Sequence, residues 1–302
     1  MGANKLLLGA VSPYEELLGY EYLYARDRST LAGVSRDTFR RGTLPSHAAM
    51  EKRGIISDEL YESVAAFIAK RMEETCFSVL VNGTYQFPES IGEAENPVPL
   101  LYCQGDVTLF DVPSVSIVGA RKASSEGLRR ASQLAKAIAE EGIVVVSGLA
   151  AGVDTAALTS AIQNSGHVIA VIGTPINEVY PKENAELQKK IAREHLLVSQ
   201  VPFYKYAHQP YKSRRYYFVE RNVTMAAISK ATVVVEASET SGTLVQARAC
   251  LKQGRCLFIM RSCFESPHAE WAERMVAKGA KILDSAEQVI EYVKSEESDG
   301  EW

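Results

Sequence analysis

The sequence predicts a doubly wound α/β fold: a mostly parallel sheet with helices on its faces, preceded by a small helical N-terminal domain. Three observations carry this reading. From Ser114 onward six apolar runs, VSIVGA, IVVVSG, HVIAVIG, LLVSQ, TVVVEA and RCLFIM, each end near a glycine or a small polar residue. Stretches of helical period and length lie between them. Residues before Gly105 lack this alternation and are helical or irregular.

Taken in order, SPYEELLGYEYLYARD and SDELYESVAAFIAKRMEE carry apolar residues three and four apart, which predicts two amphipathic helices. Ser12 and Ser57 stand as N-caps before acidic first turns. Residues 82–106 are rich in Gly and Pro and read as a connector bringing a short edge strand into the next domain. The division is therefore 1–105, a helical region and linker, and 106–294, the sheet domain. In that domain each apolar run is a buried parallel strand. The stretches LRRASQLAKAIAEE, DTAALTSAIQNS, ENAELQKKIARE, RNVTMAAISK and GTLVQARACLKQ supply the crossover helices. Residues 295–302 are acidic and poor in apolar groups, the composition of a solvated tail.

Composition narrows the function. The 302 residues are 46% hydrophobic, enough for a sizeable core. Lys and Arg number 33 against 37 Asp and Glu, a net charge of -4, which excludes a polycation that coats nucleic acid indiscriminately. Any anion site must be local. Five cysteines without a CxxC pair fit reduced thiols and a cytoplasmic protein. The five histidines are scattered without metal-ligand spacing, so neither a metal nor a cofactor is expected. The opening segment is too short and too soon polar for a membrane span, and no cleavage site of a signal peptide follows it.

Ligands of such sheets sit beyond the carboxyl ends of the strands. Four loops there stand out. In the first, Val118 to Gly127, Gly119 ends a strand, Arg121 and Lys122 follow, and Ser124 or Ser125 can cap the next helix, whose amides with two cations beside them suit a phosphate. Ser147 to Asp154 places Gly148 and Gly152 where the backbone turns sharply or a ligand comes close. Gly173 to Asn184, with Lys182, is long and polar. Glu236 to Leu244 sets Ser241, Gly242 and Thr243 at a helix mouth. Each alone is equally well an ordinary helix cap; four on one edge favour a site. Between the fourth and fifth strands, residues 201–222 hold Lys205, Lys212, Arg214, Arg215 and Arg221 against Glu220 alone, with Tyr204, Tyr206, Tyr211, Tyr216, Tyr217 and Phe218 interleaved. Charge for a backbone and rings for bases suit a single-stranded nucleic acid. Tyr204 and Tyr206 read better as packing, whereas Arg214, Arg215, Phe218 and Arg221 read as functional.

In combination, VSIVGARKAS, VVVSGLAAGVDTAA, VIGTPINEVYPKEN, FVERN, TVVVEASETSGTLVQARACLKQGR and KGAKILDSAEQVIEYV resemble the DNA processing protein A family, DprA or Smf, over about Tyr85 to Val293. The resemblance implies an extended Rossmann-like fold, cooperative binding of single-stranded DNA, loading of a RecA-type recombinase during natural transformation, a homodimer, and no catalysis. Carried over by motif, Gly119, Arg121, Arg215, Phe218, Arg221 and Asn222 would hold phosphates and stack a base. Ser147 to Asp154, Asn184 in a YPxxN motif, and Ser241 to Thr243 would shape the pocket floor. The chain departs from the pattern at Ala151, where Arg is usual, at Val219, which replaces a proline, and at Val223, where a further Arg is common. Its first hundred residues show no clear helix-hairpin-helix signature, and the winged-helix domain that many members carry is not expected after the Rossmann-like domain. The alternative is a nucleotide sensor or phosphoribohydrolase of a related Rossmann-like family. There a PGGxGTxxE motif lies where this chain has SETSGTLVQ, and Gln246 replaces the glutamate that glycosidic cleavage needs.

Overall fold

The computed structural model describes residues 11–26, 44–53, 59–92, 98–239, 241–265 and 269–298. The expected cap at Ser57 and the last residues of the expected tail lie outside the described residues. Two compact units divide the chain. The first comprises Met1–Gln104, Ile172–Glu178 and Val198–Glu220; the second comprises Gly105–Val171, Val179–Leu197 and Arg221–Trp302. The chain first crosses between units after Gln104. A linear reading could not show that two later segments rejoin the first unit, because that depends on contacts distant in sequence.

In the first unit α1 (Pro13–Arg26) opens at Ser12, whose Oγ accepts the Glu15 amide at 3.4 Å. This helix is buried on all sides from Glu16 to Tyr24, so it is a core helix and not the amphipathic one expected. Burial is tolerated because its acids are satisfied. Glu16 accepts Ser46 N at 2.9 Å and Ser46 Oγ at 2.6 Å, capping α2 (Pro45–Arg53) from outside. α3 (Glu59–Glu74) is amphipathic as read, burying Val64 and Ile68. Beyond it β1 (Ser78–Val81) and, after the short α4 (Glu89–Gly92), β2 (Leu100–Gly105) pair antiparallel, Val81 opposite Leu100. Leu100 to Cys103 are fully buried, and the sheet order puts β1 and not β2 at the edge, which corrects the expectation of an edge strand.

The next elements are β3 (Ser114–Gly119), α5 (Ser125–Glu140), β4 (Val144–Ser147), α6 (Val153–Gln163), β5 (Val168–Ile172), α7 (Ala185–Glu194) and β6 (Leu196–Ser199). They are followed by α8 (Phe203–His208), α9 (Arg215–Ile228), β7 (Ala231–Glu236), α10 (Thr243–Lys252), β8 (Cys256–Met260), α11 (Glu270–Val276), β9 (Lys281–Leu283) and α12 (Ala286–Ser298). All six expected apolar runs are strands, and α12 continues into the segment read as a tail. In the second unit the parallel order is β5-β4-β3-β7-β8-β9. The chain winds one way from β3 through β4 to β5, and the other way from β7 to β9. β3 and β7 therefore flank the point where the winding reverses, the crevice in which ligands of open α/β sheets bind.

The first unit also holds α8, a 3-10 turn at Tyr211–Arg214 and the start of α9. Pro202 offers α8 no side-chain cap. Glu21 of α1 does so instead, accepting Phe203 N at 2.8 Å and Tyr204 N at 3.0 Å while Tyr102 Oη donates to it at 2.5 Å. Burial pushes this carboxyl up to about 7 against those three donors. Tyr204 stacks on His208 at 4.1 Å and Tyr206 is buried, the packing role read for both.

Candidate functional site

A cleft of about 450 Å³ opens in the second unit beyond the carboxyl ends of β3 and β7. From the loop after β3 come Gly119, Arg121 and Lys122; from the neighbouring helices come Asp154, Arg221 and Asn222. Ser241, Gly242 and Thr243 close the other side. Nine residues singled out from sequence thus line one cleft. Their roles in it differ.

The loop from Ser147 to Asp154 is built by hydrogen bonds to its own backbone. Ser147 is fully buried, its Oγ donating to Ile117 O at 2.7 Å and tying β4 to β3. The Asp154 carboxylate accepts Gly148 N at 3.1 Å and Ala150 N at 3.4 Å, so it acts inside the loop and not as the cap of α6, a place Gly152 takes. Leu149 sits at φ +56, and its carbonyl accepts Asn184 Nδ2 at 2.9 Å. Asn184 is 5% exposed and donates also to Thr155 Oγ1, so it supports this loop and faces no ligand. Gly152 has φ +83, and a Cβ there would come within 2.3 Å of Ala120 O.

Arg221 completes the frame. It is 4% exposed; its Nη1 donates to Gly148 O and, at 2.7 Å, to Val171 O, and its Nε donates to Asn222 Oδ1 at 2.9 Å. A Cβ at Gly148 would lie 2.0 Å from Nη1, so a larger residue there requires the guanidinium to shift. Burial lowers the Arg221 pKa to about 10, Asp154 opposes that shift and Arg121 adds to it; the guanidinium stays charged at neutral pH. For Asp154 burial raises the pKa, with Arg221 the first opposing influence. Arg221 is thus a brace carrying its charge beneath the cleft, in place of the exposed phosphate ligand the sequence suggested.

The helix ends are occupied as well. Ser124 caps α5, its Oγ accepting Gly127 N at 3.0 Å. The Ser124 amide and hydroxyl donate to the Glu236 carboxylate at 3.0 Å and 2.6 Å. The amide expected to receive a phosphate therefore already holds an acid. At α10, Ser241 Oγ accepts Thr243 N at 3.1 Å, and Thr243 Oγ1 donates to Gly119 O at 3.2 Å. Asn222 Nδ2 donates to Gly242 O at 3.0 Å. Exposed cations at the cleft are then Arg121 and Lys122, both on the loop after β3.

Other expected residues lie elsewhere. Lys182 is exposed on a 3-10 turn and does not line the cleft. Arg214, Arg215 and Phe218 belong to the first unit. Arg214 lies 4.3 Å from the Tyr206 ring, Arg215 is exposed 5.4 Å from the Tyr216 ring, and half-buried Phe218 packs on the backbone of Gly173. The sequence reading gave Glu236 and Met225 no role in the site, although both line the cleft. Glu236 was legible as the residue ending an apolar run; Met225 carries no such signal. Gln246 also lines it and is 1% exposed. Among the described residues there is no group of three or more His, Cys, Asp or Glu placed to hold a metal, and no helix long and apolar enough to cross a membrane.

Comparison with known proteins bears on this arrangement. A family model described as DNA recombination-mediator protein A matches residues 78–294. DNA processing protein DprA of Streptococcus pneumoniae is 33% identical over 204 residues, 68% of this chain and 70% of that protein. DprA of Bacillus subtilis is 29% identical over 262 residues, 86% of this chain and 83% of that one. The X-ray structure of the Streptococcus pneumoniae protein aligns with a TM-score of 0.67 at 26% identity, covering 95% of this chain and 93% of that chain. DNA processing protein A of Helicobacter pylori, solved for insight into its single-stranded DNA binding mode, aligns at 0.61 and 26% identity, covering 74% and 96%.

Proposed function

We propose, on the premise that the chain belongs to the DNA recombination-mediator protein A family, that it binds single-stranded DNA and acts by binding alone. The carrying observation is the cleft at the β3/β7 reversal, with Arg121 and Lys122 exposed at its mouth and Arg221 charged beneath. Phosphates supply affinity through such cations, without regard to base sequence. In the first unit Arg214, Arg215 and Phe218 form a second set of contacts, charge for the backbone and a ring for a base. Lys182 adds an exposed charge. The single-strand binding mode studied in the Helicobacter pylori protein supports this choice of ligand. By the same family relation we infer a cytoplasmic homodimer that passes the strand to a RecA-type recombinase during DNA uptake.

Nucleotide hydrolysis fits less well. Gln246, an amide, cannot transfer the protons that glycosidic cleavage requires, and the cleft's acids Asp154 and Glu236 are engaged with backbone amides. The test is a salt titration of binding by fluorescence anisotropy with single-stranded oligomer, duplex and free nucleotides as competitors. Single strand should compete best. Arg121→Ala should lower the log–log salt slope by about 0.7 for the one phosphate it no longer neutralises, whereas Lys70→Ala should leave it unchanged. Equal weakening at both positions, or stronger competition by free nucleotide, would overturn the proposal.

A further inference from the structure

Two tyrosines of the first unit stand open to solvent beside cations. Tyr211 is 79% exposed on the 3-10 turn and Tyr216 is 50% exposed in the first turn of α9. Their neighbours Tyr206 and Tyr217 are 6% and 4% exposed, so the segment separates rings that pack from rings that do not. The guanidinium of Arg214 lies 5.9 Å from the Tyr211 ring and that of Arg215 lies 5.4 Å from the Tyr216 ring. A guanidinium at this distance attracts the ring face and holds the side chain in place. No acid occurs between residues 203 and 219, while Lys205, Lys212, Arg214 and Arg215 do.

We propose that Tyr211 and Tyr216 form a base-stacking platform for single-stranded nucleic acid, with Lys212 and Arg215 meeting the phosphates between stacked bases. It rests on the single-strand reading above and names which rings of this chain meet bases. The chemistry selects the ligand. The surface is cationic, so its partner is an anion; an acidic peptide would use the cations and leave the rings in water. Duplex DNA buries its base faces in its own stack. A single strand offers flat faces and phosphates together, and stacking on Tyr is tolerant of base identity. Phe218, half-buried on Gly173, has less ring to offer than either tyrosine.

The test compares wild type with the double variant Tyr211→Ala/Tyr216→Ala on oligothymidylate and on an abasic strand of equal length. Affinity for oligothymidylate should fall roughly 5- to 150-fold per ring, the equivalent of 1–3 kcal/mol per stacked base. Affinity for the abasic strand and both salt slopes should stay as in wild type, and Tyr211→Phe/Tyr216→Phe should bind oligothymidylate normally. Unchanged oligothymidylate binding, equal weakening on both strands, or displacement of oligothymidylate by polyglutamate as effective as by unlabelled strand would each overturn the platform. If wild type binds no single strand, the family reading of this chain's function fails and the platform falls with it. If Arg121→Ala weakens binding and the tyrosine variant does not, only the platform fails.

Discussion

The loop from Ser147 to Asp154 and the turn from Gln209 to Tyr216 both drew attention in the sequence as places where a ligand would be held, and they are built in opposite ways. In the loop, the amides of Gly148 and Ala150 and the carbonyls of Gly148, Leu149 and Ala150 are bonded to Asp154, Arg221, Asn184 and Thr155. The turn is a single 3-10 helix at Tyr211–Arg214, entered through Ser213 N donating to Pro210 O at 2.9 Å, and it presents cations and rings to water. Motif residues therefore fall into two kinds. Glycine, aspartate, asparagine and buried arginine make the frame; exposed arginine, lysine and tyrosine are the groups to which the proposals above give the contacts.

The sharpest challenge to that contrast is Arg221→Ala. It removes donors to the Gly148 carbonyl of the loop and the Val171 carbonyl of β5 and takes from buried Asp154 the stronger of its two cationic influences, so unfolding in urea should show a loss of roughly 3–5 kcal/mol. A loss below about 1 kcal/mol, the scale of an ordinary substitution, would return Arg221 to the ligand contacts.

Glu21 comes next, because it fastens the start of the segment that ends in the open turn. Its carboxyl is raised from 4.5 to about 7 in the folded protein, so between those values the native state holds the proton more tightly than the unfolded chain. The stabilisation is complete below pH 4.5 and is lost as pH rises through 7, a total of about 3 kcal/mol. Glu21→Gln should flatten that slope, as thermal unfolding across the pH range would reveal; an unaltered slope would mean that another group titrates. The smallest effect is expected for Ser124→Ala, which removes the α5 cap and one donor to Glu236: about 1 kcal/mol by urea unfolding. A change near zero would show the Ser124 hydroxyl to be free for a ligand.

The parallel strands were legible because each is a short apolar run that can be buried on both faces, bounded by glycine or small polar residues and alternating with stretches of helical period. β1 and β9 were not, since SVLV and KIL are too short for a periodic signal to stand out. α9 begins six residues before the helix read at Arg221, at Arg215. Cations and rings crowd its first turns and resemble a loop, while Tyr217, Arg221 and Thr224 are buried at helical spacing before a fully buried stretch from Thr224 to Ala227. A cation on the inward face hides that spacing from a hydropathy reading. The site was legible as a set of loops, since the winding places every strand's carboxyl end on one edge. Which members face inward was not, because it depends on partners such as Asn184 for Leu149 that are distant in sequence.

The carboxylate of Glu236 at the start of α5 has a kinetic consequence. With that helix end already filled, the binding proposed above assigns an anion entering the cleft to Arg121 and Lys122, long side chains on flexible stems, and not to amides fixed in the scaffold. Fixed amides impose a register; flexible cations follow their counter-charge. A phosphate chain gripped in this way can advance by one unit while the side chains swing to the next charge, and no backbone hydrogen bond has to break. Residence at any single phosphate is then brief even where the hold on the whole strand is long.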